Sequence, residues 1–441
     1  MRAKYPAPPV QRDMLERDDA QTFEAATYAK VARRLIPFLM LCYLGAYLDR
    51  VNVGFAKLQM LNDLRFSETV YGMGAGIFFL GYFLFEVPSN LILHRVGARR
   101  WLARIMLTWA VISASFVFVK SPAAFYVLRF LLGVAEAGFA PGVILYLTYW
   151  FPAARRAKAL SLFFMAIPLA GIVGGPLSGA IMHSLHGAIS MAGWKWLFLL
   201  EALPSLVLGF AILLYLDDGI DRATWLTDTE KALLARNVSA DAAHTTAHLS
   251  IRAFVADRRL WLMAAIYFCV VLGQYGLTFW LPTIIRKAGV ADPLWVGLFT
   301  AIPCACAIVA LPLIGMSADR RRERRFHLAV PMLIAAAGFA TLPMLGSVGA
   351  SIVCLSIASA GILASSSQFW SLPTALLGGM SAAAGIAAVN CFANLAGFFS
   401  PAIVGWLNDL TGKSTAGLVF ISVAITFGAL LVFLVPRSVN R

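Results

Sequence analysis

Apolar residues in this chain gather into long runs and seldom alternate with polar ones. Twelve such runs follow one another: 33–57, 70–93, 101–119, 123–150, 157–182, 194–216, 259–285, 294–317, 326–346, 350–372, 379–407 and 415–435. A run of about 20 residues crosses the hydrocarbon layer of a bilayer as a helix. Inside lipid the backbone must satisfy its own hydrogen bonds, which a helix does within one segment. The pattern predicts an all-α polytopic membrane protein with twelve transmembrane helices. The longest polar interval between runs, about 217–258, separates six from six. The expected organisation is a cytoplasmic tail (1–32), a six-helix bundle (33–216), a linker (217–256) and a second six-helix bundle (257–437). Within the linker, Thr227 followed by Glu230 has the spacing of a capping box, which predicts a short helix there.

Composition agrees and removes other classes. The 441 residues are 60% hydrophobic and 13% charged, too few charges to clothe a soluble protein of this size. A net charge of +14 could suggest nucleic acid, but its placement argues otherwise. With both termini on one side, that side's segments and the span ends beside them hold 26 of the 36 Lys and Arg, and the opposite loops with their span ends hold 6. Basic residues mark the cytoplasmic face, so both termini are expected there, in a plasma (bacterial inner) membrane. No nucleic-acid partner is expected. The first apolar run is too long for a cleavable signal. All six cysteines fall inside expected spans, so disulfides are not expected.

Charges inside the runs are the candidate chemistry, because Asp or Arg at a helix centre costs roughly 2.5–3.5 kcal/mol. Asp49 and Arg50 stand together in the first run. Glu86, Arg104, Arg129, Glu136 and Glu201 complete the first-half set. Arg129 and Glu136 are seven apart, about 10 Å along one helix face. They could reach toward each other, or a helix partner could sit between them. Glu86, Arg104 and Glu201 lie nearer the ends of their runs, where a solvated or interhelical structural role is expected. The second half offers neutral groups instead: Gln274, Tyr275, Gln368, Trp370, Asn390 and Asn394. Tyr47, Tyr82, Trp280 and Trp370 are the aromatic candidates for a pocket wall.

The halves echo each other. Gly174, Gly175, Pro176 and Gly179 of the fifth run match Gly397, Pro401 and Gly405 of the eleventh. Parallel six-span repeats place a binding site between the halves near the midplane. Gly72, Gly76 and Gly81 are expected to let helices approach closely. No metal or catalytic constellation appears: His244 and His248 are four apart without the Glu of a zinc helix, and no phosphate-binding loop is present. An enzyme is therefore not expected.

These segments resemble a known family. The loop motif Gly315-x-x-x-Asp319-Arg320 with its basic cluster resembles the major facilitator superfamily. The first-half copy departs from it, with Asn90 and His94 at the Gly and Asp positions. Within that superfamily the chain is similar to the anion:cation symporters, such as bacterial tartrate, hydroxyphenylacetate and phthalate permeases. The similarity is carried by LDRVNVGFA (48–56), VGARRW (96–101), GVAEAGFAPGVILYLTYWFP (133–152), GGPLSG (174–179), GWKWLFLLEALP (193–204) and NCFANLAGFFSPAIVGWLNDLTG (390–412). The resemblance implies the major facilitator fold and import of a small organic anion with protons by alternating access. It implies that Arg50 binds the substrate carboxylate, that Asp49 and Glu136 take protons, and that Arg129 partners Glu136. It assigns Tyr47, Tyr82, Gln274, Trp370, Asn390 and Asn394 to the pocket. No cofactor is implied; the coupling ion is the proton in preference to sodium, and a monomer suffices. An exchanger or exporter on the same fold is the alternative, followed by a transporter-like sensor.

Overall fold

A computed structural model describes residues 9–242, 257–321, 323–372 and 381–435. Among the described residues the protein is helical throughout, without strands. Twelve helices are long and apolar enough to cross a membrane. They are α1 (Gln21–Leu64), α2 (Glu68–Val96), α3 (Ala98–Phe118), α4 (Pro122–Thr148), α5 (Ala153–Ser184) and α6 (Gly193–Tyr215). The second six are α7 (Arg258–Lys287), α8 (Pro293–Arg321), α9 (Arg325–Met344), α10 (Val348–Phe369), α11 (Ala388–Thr411) and α12 (Thr415–Val432).

Between the sixes lies the helix Asp228–Ala242. Its first turn is the expected reciprocal cap: Thr227 N–H donates to Glu230 Oε2 (2.8 Å) and Glu230 N–H to Thr227 Oγ1 (3.3 Å). The rest of the expected linker, 243–256 with His244 and His248, lies outside the described residues.

The first helix differs from its expected limits. The continuous helix that contains the α1 span runs Pro9–Leu64, so residues expected as a tail are wound into it. Helical hydrogen bonds do not stop where apolarity stops, and the extension has partners beyond the span. Tyr28 and Val31 are buried, and Lys30 Nζ donates to Glu230 Oε2 (2.8 Å) of the short helix.

Among the described residues three spans are broken along their length. The α4 helix ends at Glu136 and restarts at Phe139, because Gly138 takes φ +85°, a left-handed conformation that side chains resist. Pro141 has no N–H to bridge the gap. Breaks at Met165 of α5 and Leu395 of α11 separate Ala153–Phe164 from Ala166–Ser184 and Ser381–Asn394 from Ala396–Thr411.

Glycines set the closest approaches, as expected. A Cβ on Gly72 would strike the Pro401 carbonyl of α11, and one on Gly76 would stand 2.7 Å from the Phe398 carbonyl. Gly81 lies against Phe130 of α4 in the same way. Gly175 and Gly297 bring α5 and α8 together. Contacts between the first and second six cluster on the side opposite the chain termini. There Asp409 of α11 accepts from the Glu68 and Thr69 amides (3.2 and 2.7 Å), and Tyr71 Oη donates to the Phe279 carbonyl (2.9 Å). Arg286 donates to the Leu58 carbonyl, and His183 meets Asp292 (2.9 Å). Lys57 is buried there, 3.4 Å from the Trp280 ring centroid and paired with Glu68. Trp280, a candidate for the pocket wall, belongs to this closure.

Candidate functional site

Residues 49 and 50 are neighbours in sequence, but successive helix positions point about 100° apart. The structure separates the two accordingly. Arg50 turns toward α2, α4 and the second half, while Asp49 turns into the bundle of α1, α3 and α6.

Arg50 is almost fully buried and forms an ion pair with Glu136 of α4. Its Nε donates to Glu136 Oε1 (3.1 Å), and its Nη2 donates to the same oxygen. Aromatic rings surround the guanidinium: Tyr47, Phe78 and Tyr82 have centroids 5.6, 5.4 and 5.4 Å from Cζ. Ring faces attract a cation, which offsets part of its lost hydration. Tyr275 of α7 reaches the guanidinium from the other half. The α4 break gives Glu136 its place at the last turn of a helix. A carboxylate is disfavoured at that negative end, so the Arg50 contact holds it there against the dipole.

Arg129 makes no hydrogen bond or ion pair with Glu136, the partner implied by the family resemblance, although its charge still acts on that carboxyl. It is fully buried and donates to two backbone carbonyls of α2: Nε to Gly74 O (3.1 Å) and Nη2 to Ala75 O (3.2 Å). The glycines of α2 let the helices come this close. Of the two geometries open from the spacing, neighbouring elements intervene: α2 takes Arg129 and α1 supplies Arg50 to Glu136.

Asp49 accepts hydrogen bonds from Ser113 Oγ of α3 and Ser205 Oγ of α6, both at 2.7 Å. Glu201 of α6 is buried, with Oε1 accepting from Ser178 Oγ of α5 (2.6 Å). It is nine residues into a 23-residue helix, well inside the span rather than at its end. Glu86 follows Tyr82 by one turn, within electrostatic reach of Arg50 and of Cys391 in the second half. Arg104 lies 3.8 Å over the ring of Trp101 on its own helix.

The second-half candidates divide. Gln274 reaches the Tyr47 hydroxyl, and both line a cleft between the halves with about 780 Å³ of empty space, partly continuous with solvent. Its walls are mostly apolar, relieved by Gln274, Thr278, Thr300 and Ser359. Arg50 is not part of that wall; the ion pair sits beyond Tyr47. Trp370 lies just past α10 and packs edge-on against Tyr267 (4.7 Å) rather than against Arg50. Asn390 and Asn394 are half-buried in the turns before the α11 break. Tyr43 and Tyr275 complete the aromatic surroundings of Arg50. Tyr43 carries no charge or motif to mark it, beyond its spacing of seven from Arg50.

A family model for the major facilitator superfamily matches residues 39–401. The chain belongs to the major facilitator superfamily. It is 47% identical over 416 residues to a provisionally named tartrate transporter of Agrobacterium vitis, covering 94% of this chain and 92% of that one. It is 47% identical over 419 residues to the provisionally named metabolite transport protein NicT of Pseudomonas putida, covering 94% and 96%. It is 40% identical over 421 residues to a quinolone resistance transporter of Acinetobacter baumannii, covering 95% and 97%. Among solved structures it is similar to a bacterial homologue of the human lysosomal transporter Spinster, with TM-score 0.78 and 17% identity over 92% of this chain and 97% of that one. This member of the superfamily is a multi-pass membrane transporter of small molecules, not an enzyme.

Proposed function

We propose that this transporter imports a small organic anion together with protons, by alternating access. The observation that carries the reading is the Arg50–Glu136 ion pair inside an aromatic cage at the junction of the halves. A planar guanidinium is suited to a carboxylate, which it binds through two parallel hydrogen bonds. Here one carboxylate already occupies it. A substrate carboxylate takes over Arg50 when Glu136 gives it up, and protonating Glu136 removes the charge that holds it. Proton and anion therefore share one switch. Asp49 is the second protonation site, and Arg129 fixes α4 against α2 so that Glu136 stays in reach. Tyr47, Tyr82 and Gln274 contact the anion's body. Asn390, Asn394 and Trp370 join them from the second half as the pocket closes.

The names of the Agrobacterium and Pseudomonas relatives favour a carboxylate such as tartrate or a related hydroxy or aromatic acid. Both termini are cytoplasmic in this reading, so the side on which the halves are closed against each other faces outward. A monomer carries out the cycle, without cofactor or sodium. The second reading, an exporter or exchanger, is favoured by the Acinetobacter relative's name.

Uptake of labelled tartrate, galactonate, phthalate and 4-hydroxyphenylacetate into proteoliposomes tests the proposal. Accumulation above equilibrium under an inward proton gradient, abolished by a protonophore and by Arg50→Ala, is the expected result. Equilibration indifferent to the gradient would remove proton coupling and support the exchanger.

A further inference from the structure

We propose that Glu201 is a proton-carrying carboxyl that supplies Asp49 through a polar seam between α1 and α6, apart from the substrate cleft. This rests on the proton-symport reading above.

The seam follows from register. α1 and α6 run antiparallel: Tyr215 bonds the Arg34 carbonyl at one end, and Trp194 bonds Gln59 and Asp63 at the other. Between these, Ser205 stands opposite Asp49. One turn back along α6 is Glu201; three residues on along α1 is Asn52, whose amide faces Glu201. Asp49, Asn52, Gln59 and Asp63 thus fall on one stripe of α1. That stripe ends at exposed Asp63, on the side where the halves are closed against each other.

Two observations mark the seam as chemical rather than merely structural. The first concerns charge. Glu201 and Asp49 are each about 1% exposed, and among the described residues neither has a cation within ion-pair distance. A buried carboxylate needs a cation or a proton to avoid a large desolvation cost. The groups facing Glu201 are Ser178 of α5, Asn52 and the carboxyl of Asp49. Those facing Asp49 are Ser113 and Trp109 of α3, Ser205 of α6 and the carboxyl of Glu136. Each neighbouring element contributes a neutral group or an acid, so a proton is the available countercharge. The second observation is unmet hydrogen bonding. Glu201 Oε2 and the fully buried Asn52 amide face each other without a closed hydrogen bond.

The transfer conserves atoms and charge. Glu201 arrives neutral, having taken a proton from the Asp63 side. It yields that proton, and Asp49 gains one through the Ser205 hydroxyl, leaving Glu201 ionised and Asp49 neutral. Arg50 and the anion take no part in this step, so blocking it should leave anion exchange intact.

The test compares the full-length wild type with Glu201→Gln in proteoliposomes. The wild type must first accumulate its anion under a proton gradient; if it does not, the symport reading fails before this inference is reached. Given coupling, Glu201→Gln should lose one coupled proton, lowering the accumulation ratio by about tenfold per pH unit of gradient. Exchange of labelled for unlabelled anion should persist. Glu201→Asp keeps the carboxyl and should retain coupling with a displaced pH profile, whereas a purely packing role predicts that it fails as Gln does. Loss of exchange and coupling together in both variants would assign Glu201 to packing. A wild-type proton-to-anion ratio in Glu201→Gln, or dependence of uptake on sodium, would overturn the proposal.

Discussion

At the residue scale, everything turns on one guanidinium with two possible partners. Replacing Arg50 by Lys keeps the charge but exchanges a planar fork for a point charge. It should lower uptake efficiency by at least about 100-fold, near 3 kcal/mol in the range for truncated buried charge pairs. Glu136→Gln should act in the opposite sense on binding. Its neutral amide releases Arg50, so a labelled anion should bind with little dependence on pH while proton-driven accumulation disappears. The protein itself should lose up to about 3 kcal/mol, because one charge of a buried pair is stranded; thermal unfolding with and without anion reads both effects. These outcomes show what was legible in the chain. Arg50 and Glu136 were visible as charges where charge is costly. Their pairing was not, because 86 positions separate them. Sequence proximity misled twice: Asp49 looks away from Arg50 because adjacent helix positions diverge, and Arg129 is drawn off to the bare carbonyls of α2. Glu201 was expected near a span end, yet Gly193–Tyr215 buries it nine residues in.

At the element scale, the break in α4 sets the height of Glu136. A Cβ on Gly138 would adopt a left-handed conformation costing about 1–2 kcal/mol and would also strike Ser89 Oγ. Gly138→Ala should therefore lower thermal stability and weaken uptake. Adding Ser89→Gly, which removes both the Oγ and the Cβ that a residue-138 Cβ would strike, should recover the steric part and leave the conformational part, so partial rescue is the expected signature. Full rescue would show that the left-handed turn is not needed. A second element prediction lies outside the membrane. The Lys30 ammonium bonded to Glu230 holds that carboxyl below the usual glutamate range. A depressed value in the folded state means the tie contributes at pH above about 4.3 and is lost as pH falls through the lowered value. Amide exchange in Asp228–Ala242 should accelerate in that acid window, and Lys30→Gln should reduce the pH dependence to the part carried by the Thr227–Glu230 cap. The twelve spans and this cap could be read from periodicity and spacing. The α1 extension could not, since its partner is a helix 200 residues away.

At the scale of the whole molecule, the ion pair and the closure of the far side are joined by the same helices. α1 carries Arg50 in its middle and Lys57 two turns later; α7 carries Tyr275 beside Arg50 and Trp280 beside Lys57. A change of partner at Arg50 alters how α1 and α7 sit together, and the closure lies on those two helices within about 10 Å along the axis. Alternating access requires this closure to open in every cycle. Its outermost contact joins the halves through two exposed side chains, His183 of α5 and Asp292 just before α8. Cysteines at these two positions, in a background lacking the exposed Cys306, should crosslink with a short bifunctional thiol reagent. The crosslink should stop accumulation and exchange alike, and cleaving the reagent should restore both. Saturating anion or an opposing pH gradient should change the crosslinking rate, because substrate and protons bias the equilibrium between open and closed states. Undiminished exchange in the fully crosslinked protein would show that these halves do not part there, and the link from Arg50 through α1 and α7 would fail with it.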